Sequence, residues 1–271
     1  MRVLIDGDIL VYKCACAVEK EGKDFRAWKL EYNIDHMINE IINHTLARDY
    51  KVYLSGVNNF REQIATIVPY KHNRKKENRP TLYEEARQYL IDFYRAEVVE
   101  GIEADDILGI MQHKPDDNYD PFSQGLSTCI ASIDKDLLMI PGNHYNLKSK
   151  HIRFVSLDEA NKTYWKQVLT GDWQCDRIPG LKGVGSVTAE KMLKDETTFI
   201  DLEMKVKDTY RNAAKYVAPA GYGCGYDYET QLQGKITHSH RQRLDVFNEI
   251  KKLIWILREP LKTNDNKEKT G

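Results

Sequence analysis

Residues Val99–Met111 read VEGIEADDILGIM. Glu103, Asp105 and Asp106 crowd together there, and Ile107, Leu108, Ile110 and Met111 follow at the apolar spacing of a helix. On such a helix Glu103 and Asp106 are i,i+3 neighbours, while Asp105 points about 100° away from Asp106. Carboxylates this close repel, and burial raises their pKa unless a cation compensates. Hard oxygen donors grouped in this way suit Mg²⁺ or Mn²⁺. Acidic residues are also favoured in any first helical turn, so the segment alone leaves both readings open. Recurrence of carboxylates elsewhere breaks the tie.

They do recur. Toward the N-terminus, Arg2-Val3-Leu4-Ile5 reads as a short buried strand with Asp6-Gly7-Asp8 at its carboxyl end, and a helix begins near Ile9. Ile34, Met37, Ile38, Ile41 and Ile42 form one apolar helical face before a second strand, Lys51-Val52-Tyr53-Leu54. Past the acidic helix, the run Thr128–Ile133 reads as a buried strand that ends in Asp134-Lys135-Asp136. Alternating strands and helices predict an α/β fold with a mainly parallel sheet, and ligands bind such sheets at the carboxyl ends of the strands. Ser156 and Glu159 can cap a helix carrying Tyr164, Trp165, Val168 and Leu169, closed by Gly171 and followed by Asp172 and Asp176. Gly180-Leu181-Lys182-Gly183-Val184-Gly185 then opens a helix over 186–193. Glycines ahead of a helix let backbone N–H groups approach a phosphate, although a plain tight turn between helices has the same pattern.

Between Tyr70 and Pro80, Lys71, Arg74, Lys75, Lys76 and Arg79 meet a single acid, Glu77, without apolar periodicity. That is either a solvated surface or a phosphate-contacting segment beside a stacking tyrosine; its position just before the acidic helix favours the latter. Thr81 with Glu84 forms a potential capping box for a helix through Ala86, Leu90 and Phe93. The 271 residues are 41% hydrophobic and 30% charged, the composition of a globular chain of one large or two smaller domains. No apolar run reaches the roughly 18 residues of a membrane span, and Met1-Arg2-Val3 enters a strand and not a signal peptide. Five unpatterned cysteines without CxxC argue for free thiols in a reducing cytoplasm and against zinc. The net charge of −1 leaves any nucleic-acid partner to local charge distribution.

In order, IDGD near the N-terminus, YKHNR (70–74), IEADDI (102–107), SIDKD (132–136), TGDxxxD (170–176) and GLKGVGSVTAEKML (180–193) resemble the 5′-nuclease family over roughly residues 1–195. That family comprises phage 5′–3′ exonucleases, flap endonucleases and the amino-terminal nuclease domain of bacterial DNA polymerase I. The resemblance implies a PIN-like α/β nuclease domain over 1–155 with a helical arch near 70–95. It also implies a helical DNA-binding subdomain over 156–262, with a helix–three-turn–helix near 178–194; the polar tail 263–271 is expected to be disordered. The implied activity is 5′–3′ exonuclease or flap-endonuclease hydrolysis of DNA by two Mg²⁺ or Mn²⁺ ions, with K⁺ a further cation at the helix–three-turn–helix. DNA with a 5′ end or flap is the implied partner, no membrane is involved, and a monomer in the cytoplasm is expected.

By the same resemblance, Asp6, Glu103, Asp105, Asp106, Asp134, Asp136, Asp172 and Asp176 match the metal carboxylates. Asp6, Asp105 and Asp134 would be central to catalysis together with Lys71 and Arg74, the basic pair at the base of the arch. Tyr12-Lys13 matches the aromatic-plus-basic pair after the first aspartate, and Tyr70, Lys75, Lys76, Lys182, Gly183 and Gly185 complete the implied DNA contacts. Two departures stand out. Leu54-Ser55-Gly56 lacks the family's usual aspartate after the second strand, and Asp172 and Asp176 are four residues apart where three is usual. Asp6-Gly7-Asp8, Leu54-Ser55 and Gly171-Asp172 also match the phosphatase motifs of the haloacid dehalogenase class, and a non-catalytic DNA-binding module is a further alternative.

Overall fold

The fully apolar run at the N-terminus becomes the central strand of a sheet because both of its faces are covered. In the computed structural model, which describes residues 1–20, 27–74, 79–113, 128–213 and 240–261, β1 spans Arg2–Asp6. It pairs in parallel with β2 (Asp49–Ser55) on one side and with β4 (Thr128–Ser132) on the other. β3 (Glu97–Val99) and β5 (Gly142–Asn146) extend the parallel order outward, and the edge strand β6 (Ile152–Val155) runs antiparallel, giving β3-β2-β1-β4-β5-β6. Val3 and Ile5 face a core made with α1 (Gly7–Lys20), α2 (Ala27–Thr45) and α4 (Tyr83–Tyr94). Leu4 faces the opposite side, where Leu108 of α5 (Ala104–His113) packs. Strand order reverses across β1 and β4, so their carboxyl ends open a crevice of the kind that holds ligands.

Local chemistry sets where each helix begins. At Gly7 the chain turns from β1 directly into α1, and an added Cβ would stand 2.5 Å from the Tyr53 carbonyl oxygen, so only glycine fits. Asn59 caps the short α3 (Phe60–Ile64) by accepting from Arg61 N at 2.9 Å. The expected capping box of Thr81 and Glu84 does not form. α4 starts after Leu82, which leaves Thr81 out of capping register; its N–H donates to Glu19, and Glu84 pairs with Arg79. Ser156 caps α6 (Leu157–Thr170) through Glu159 N, as the sequence led one to expect.

Beyond β6 the chain is helical among the described residues: α6, α7 (Ser186–Met192), α8 (Phe199–Asn212) and α9 (His240–Ile254). Their core centres on Tyr164, Trp165, Tyr210 and Phe247. After α9 the chain returns to the sheet, and Ile256 joins Leu4, Tyr53 and Leu108 in the core beneath α5. No described helix is long and apolar enough to cross a membrane. Lys75 and Lys76, the tyrosine-rich stretch 214–239 and the tail 263–271 lie outside the described residues.

Candidate active site

Asp6 ends β1 and is 3% exposed. Its carboxylate accepts from Ile9 N at 3.2 Å and from the Ser132 hydroxyl at 2.7 Å, which ties it to the end of β4. Ser132 also accepts from Asp134 N at 3.0 Å, so one hydroxyl joins the Asp6 carboxylate to the backbone of the turn that follows β4. Burial, followed by the charges of Asp8 and Asp134, pushes Asp6 up to about 7. Asp105 in the first turn of α5 is raised well above the carboxylate range by burial and then by Asp6, Asp134 and Glu103. Asp6, Asp105 and Asp134 therefore feel one another across the crevice.

Asp136 and Asp172 extend this group. Asp134 accepts from Asp136 N at 2.8 Å, and burial with the Asp134 charge lifts Asp136 to about 7, Asp172 adding to the repulsion. Asp172 accepts from Cys175 N at 3.2 Å within a turn closed by the Asp172–Ile178 bridge.

Glu103 and Asp176 are held by the basic segment. Lys71 Nζ pairs with Glu103 and lies 3.6 Å from Asp176, while Arg74 reaches Asp176 at 2.8 Å. Burial alone would raise Glu103, but Lys71 and Arg61 outweigh it and hold it below the usual carboxylate range. Burial leads the upward shift of Asp176. The Tyr70 hydroxyl lies 2.8 Å from both carboxylates, yet its single proton can serve only one of them at a time. Lys71 itself adopts a left-handed backbone (φ 51°), a conformation that costs a non-glycine residue about 1–2 kcal/mol. Its N–H donates to the Asp176 carbonyl at 3.1 Å, which helps hold that backbone in place.

No family profile and no curated protein sequence matches the chain. Solved structures do. The flap endonuclease of bacteriophage T5, in a complex with DNA and metal ions, superposes with a TM-score of 0.57 at 15% identity, covering 93% of this chain and 88% of that one. A variant of the T5 5′-exonuclease superposes at 0.55 with 12% identity, over 93% and 87% of the two chains. This chain has the 5′-nuclease fold.

Within that fold, Asp106 departs from the expected set. It was expected among the metal carboxylates, but it is fully buried and both of its oxygens are engaged by Arg61, at 2.6 and 2.8 Å. Tyr12 and Lys13 diverge: Tyr12 is 43% exposed and packs edge-on against Tyr83 of α4, whereas Lys13 donates to the Leu147 carbonyl beyond β5. Lys182 and Gly183 lie exposed before α7, with Gly183 at φ 78° and Gly185 at the cap of that helix. Nothing stands within 4 Å of where a Cβ would be at either glycine, so the loop is open on that side.

Ser55, where the sequence resemblance led one to expect an aspartate after the second strand, ties three helices together. Its hydroxyl accepts from Ala104 N at the start of α5 at 2.9 Å, its N–H donates to Asp8 at 3.1 Å, and its carbonyl accepts from Arg87 of α4 at 3.0 Å. Asp8, itself raised by burial, thus lies at the end of β2. Sequence reasoning missed Ser132, Arg61 and Arg87. Ser132 had a readable signal, a serine two residues before an aspartate at a strand end; Arg61 and Arg87 sit in segments with no motif to mark them.

Among the described residues no three carboxylates converge at metal-ligand spacing. The donor set nevertheless fits a hard divalent cation. It is all oxygen, and the mutual repulsion that lifts Asp6, Asp105 and Asp136 is what such a charge would relieve.

Proposed function

We propose that this protein is a divalent-metal-dependent 5′-nuclease that hydrolyses phosphodiester bonds of DNA at a 5′ end or flap. The observation that carries the proposal is the mutual repulsion of Asp6, Asp105 and Asp134 at the crevice of a 5′-nuclease fold, in a site that also holds a partly buried Lys71 and an exposed Arg74. The T5 flap endonuclease of the same fold was solved with DNA and metal ions, which supports the same substrate class here.

Asp6, Asp105 and Asp134, joined by Asp136 and Asp172, would hold Mg²⁺ or Mn²⁺, two ions in all. Such ions supply charge for an in-line displacement at phosphorus. The chain's own residues do the rest. Ser132 orients the Asp6 carboxylate and holds the backbone at Asp134, and the Ser55 cap fixes the entry of α5. Lys71 and Arg74 stay cationic, because Glu103 and Asp176 offset the burial that would lower them. A phosphodiester entering beside them would compete with those carboxylates for the same cations and be oriented by them. Tyr12 would offer its exposed ring for base stacking, and Lys182, Gly183 and Gly185 would grip a backbone phosphate, with K⁺ as a further cation there.

The phosphatase alternative fits the geometry poorly. α6, not a strand, precedes Gly171, and the Ser55 hydroxyl is committed to capping α5. The deciding experiment incubates the protein with 5′-labelled flap, duplex and single-stranded DNA, and with a small phosphomonoester, with and without Mg²⁺. Mg²⁺-dependent release of short products from the 5′ end supports the proposal. Hydrolysis of the monoester alone, or a shifted band without cleavage, rejects it.

A further inference from the structure

Arg61 is 3% exposed and makes contacts in two directions. Toward α5, its guanidinium forms the bidentate pair with Asp106 and lies 3.6 Å from Glu103. Toward the C-terminus, Nε donates to the Leu253 carbonyl at 2.9 Å and Nη2 to the Trp255 carbonyl at 2.7 Å. Asp106 spans the same junction, accepting from Leu257 N at 3.0 Å and from Glu103 N at 3.1 Å. At Gly109 an added Cβ would collide with the Leu257 carbonyl oxygen, so segment 253–257 lies directly on α5. Removing either partner of a buried ion pair leaves an uncompensated charge, so Arg61 and Asp106 hold each other in this one arrangement. That arrangement ends at Glu103, whose side chain meets Tyr70 and Lys71.

We propose that Arg61 and Asp106 are positioning residues that couple the C-terminal segment Leu253–Leu257 to Glu103, and that Asp106 does not ligate metal. The functional half of this rests on the nuclease reading above. α9, which leads into the segment, packs against α6 and α8 in the helical half of the molecule. Movement of that half on DNA is thereby transmitted to Glu103 through this buried clasp.

The test compares Asp106→Asn, Arg61→Lys and their double variant in kcat, KM, Mn²⁺ affinity by calorimetry without DNA, and amide exchange over 103–113. Both single variants should lower kcat by about tenfold or more with KM little changed, and the double variant should be no worse than either, as for residues acting as a unit. Exchange near Glu103 should quicken in all three, while Mn²⁺ affinity changes alike in both single variants. If a variant fails to fold, Arg61→Met with Asp106→Leu replaces the pair by an apolar contact, and the kcat loss should persist in that folded protein. Mn²⁺ binding lost in Asp106→Asn but retained in Arg61→Lys would make Asp106 a metal ligand and overturn the proposal. Wild-type kcat and exchange in folded variants would overturn it as well. Should the wild type cut no DNA, the nuclease reading fails separately, and exchange still decides the clasp.

Discussion

Asp6 and Asp136, both pushed up to about 7, hold protons in the folded chain over a range where unfolded carboxylates have lost theirs. Between about pH 4 and about pH 7 the folded state binds more protons than the unfolded one, so their contribution makes stability fall as pH rises. The metal-free melting temperature should drop across that interval, and Mg²⁺ should restore it. Asp6→Asn should raise the metal-free melting temperature near neutral pH by several degrees, since about 1 kcal/mol corresponds to roughly 2–4 °C at this size. Thermal melts with chelator check this; destabilisation by Asp6→Asn near neutral pH would count against the electrostatic strain. At this scale the sequence made residue types and their order legible, but not pairing. Asp105 and Asp106 are adjacent and alike in sequence, yet one turns to the crevice and the other to Arg61, whose approach from a distant segment no local pattern records.

Among elements, the segment 70–74 and the glycine loop before α7 differ in their surroundings, and the proposed function gives them opposite duties. Lys71 and Arg74 are already engaged by carboxylates of the site, so Lys71→Ala should slow cleavage more than it weakens binding. Lys182 on the open loop should do the reverse. Its replacement by alanine should weaken duplex binding uniformly across sequences and reduce the salt slope by about 0.9 if one phosphate contact is lost. Filter binding over a salt series measures it, and an unchanged slope would return Lys182 to an ordinary solvated surface. The same test on Lys75→Ala with Lys76→Ala should flatten the slope further, by about 0.7–0.9 per contact. Strands were the most legible elements, because β1 and β4 are buried runs with an aspartate at the end of β1 and two residues past the end of β4. Thr81 and Glu84 misled, since α4 starts after Leu82 and the Thr81 N–H is taken up by the distant Glu19. The apolar run at 253–257 announced burial without saying against what, and its contact with α5 follows only from the assembled fold.

For the whole molecule, one sheet edge gathers carboxylates from β1, the turn after β4, α5 and the turn after α6, and basic side chains from segment 70–74 pair with two of them. Ser55, Arg87 and Asp8 tie the base of α4 to that edge, and Arg61 with Asp106 ties the C-terminal segment to it. The central claim is that this edge is a divalent-metal phosphodiesterase centre built around Asp6, Asp105 and Asp134. Its most direct test is the single-turnover cleavage rate of a 5′-flap DNA by Asp134→Asn at saturating Mg²⁺. With several kcal/mol of transition-state stabilisation removed, the rate should fall by about a thousandfold or more from that of the wild type. A rate equal to wild type would contradict the assignment of the site.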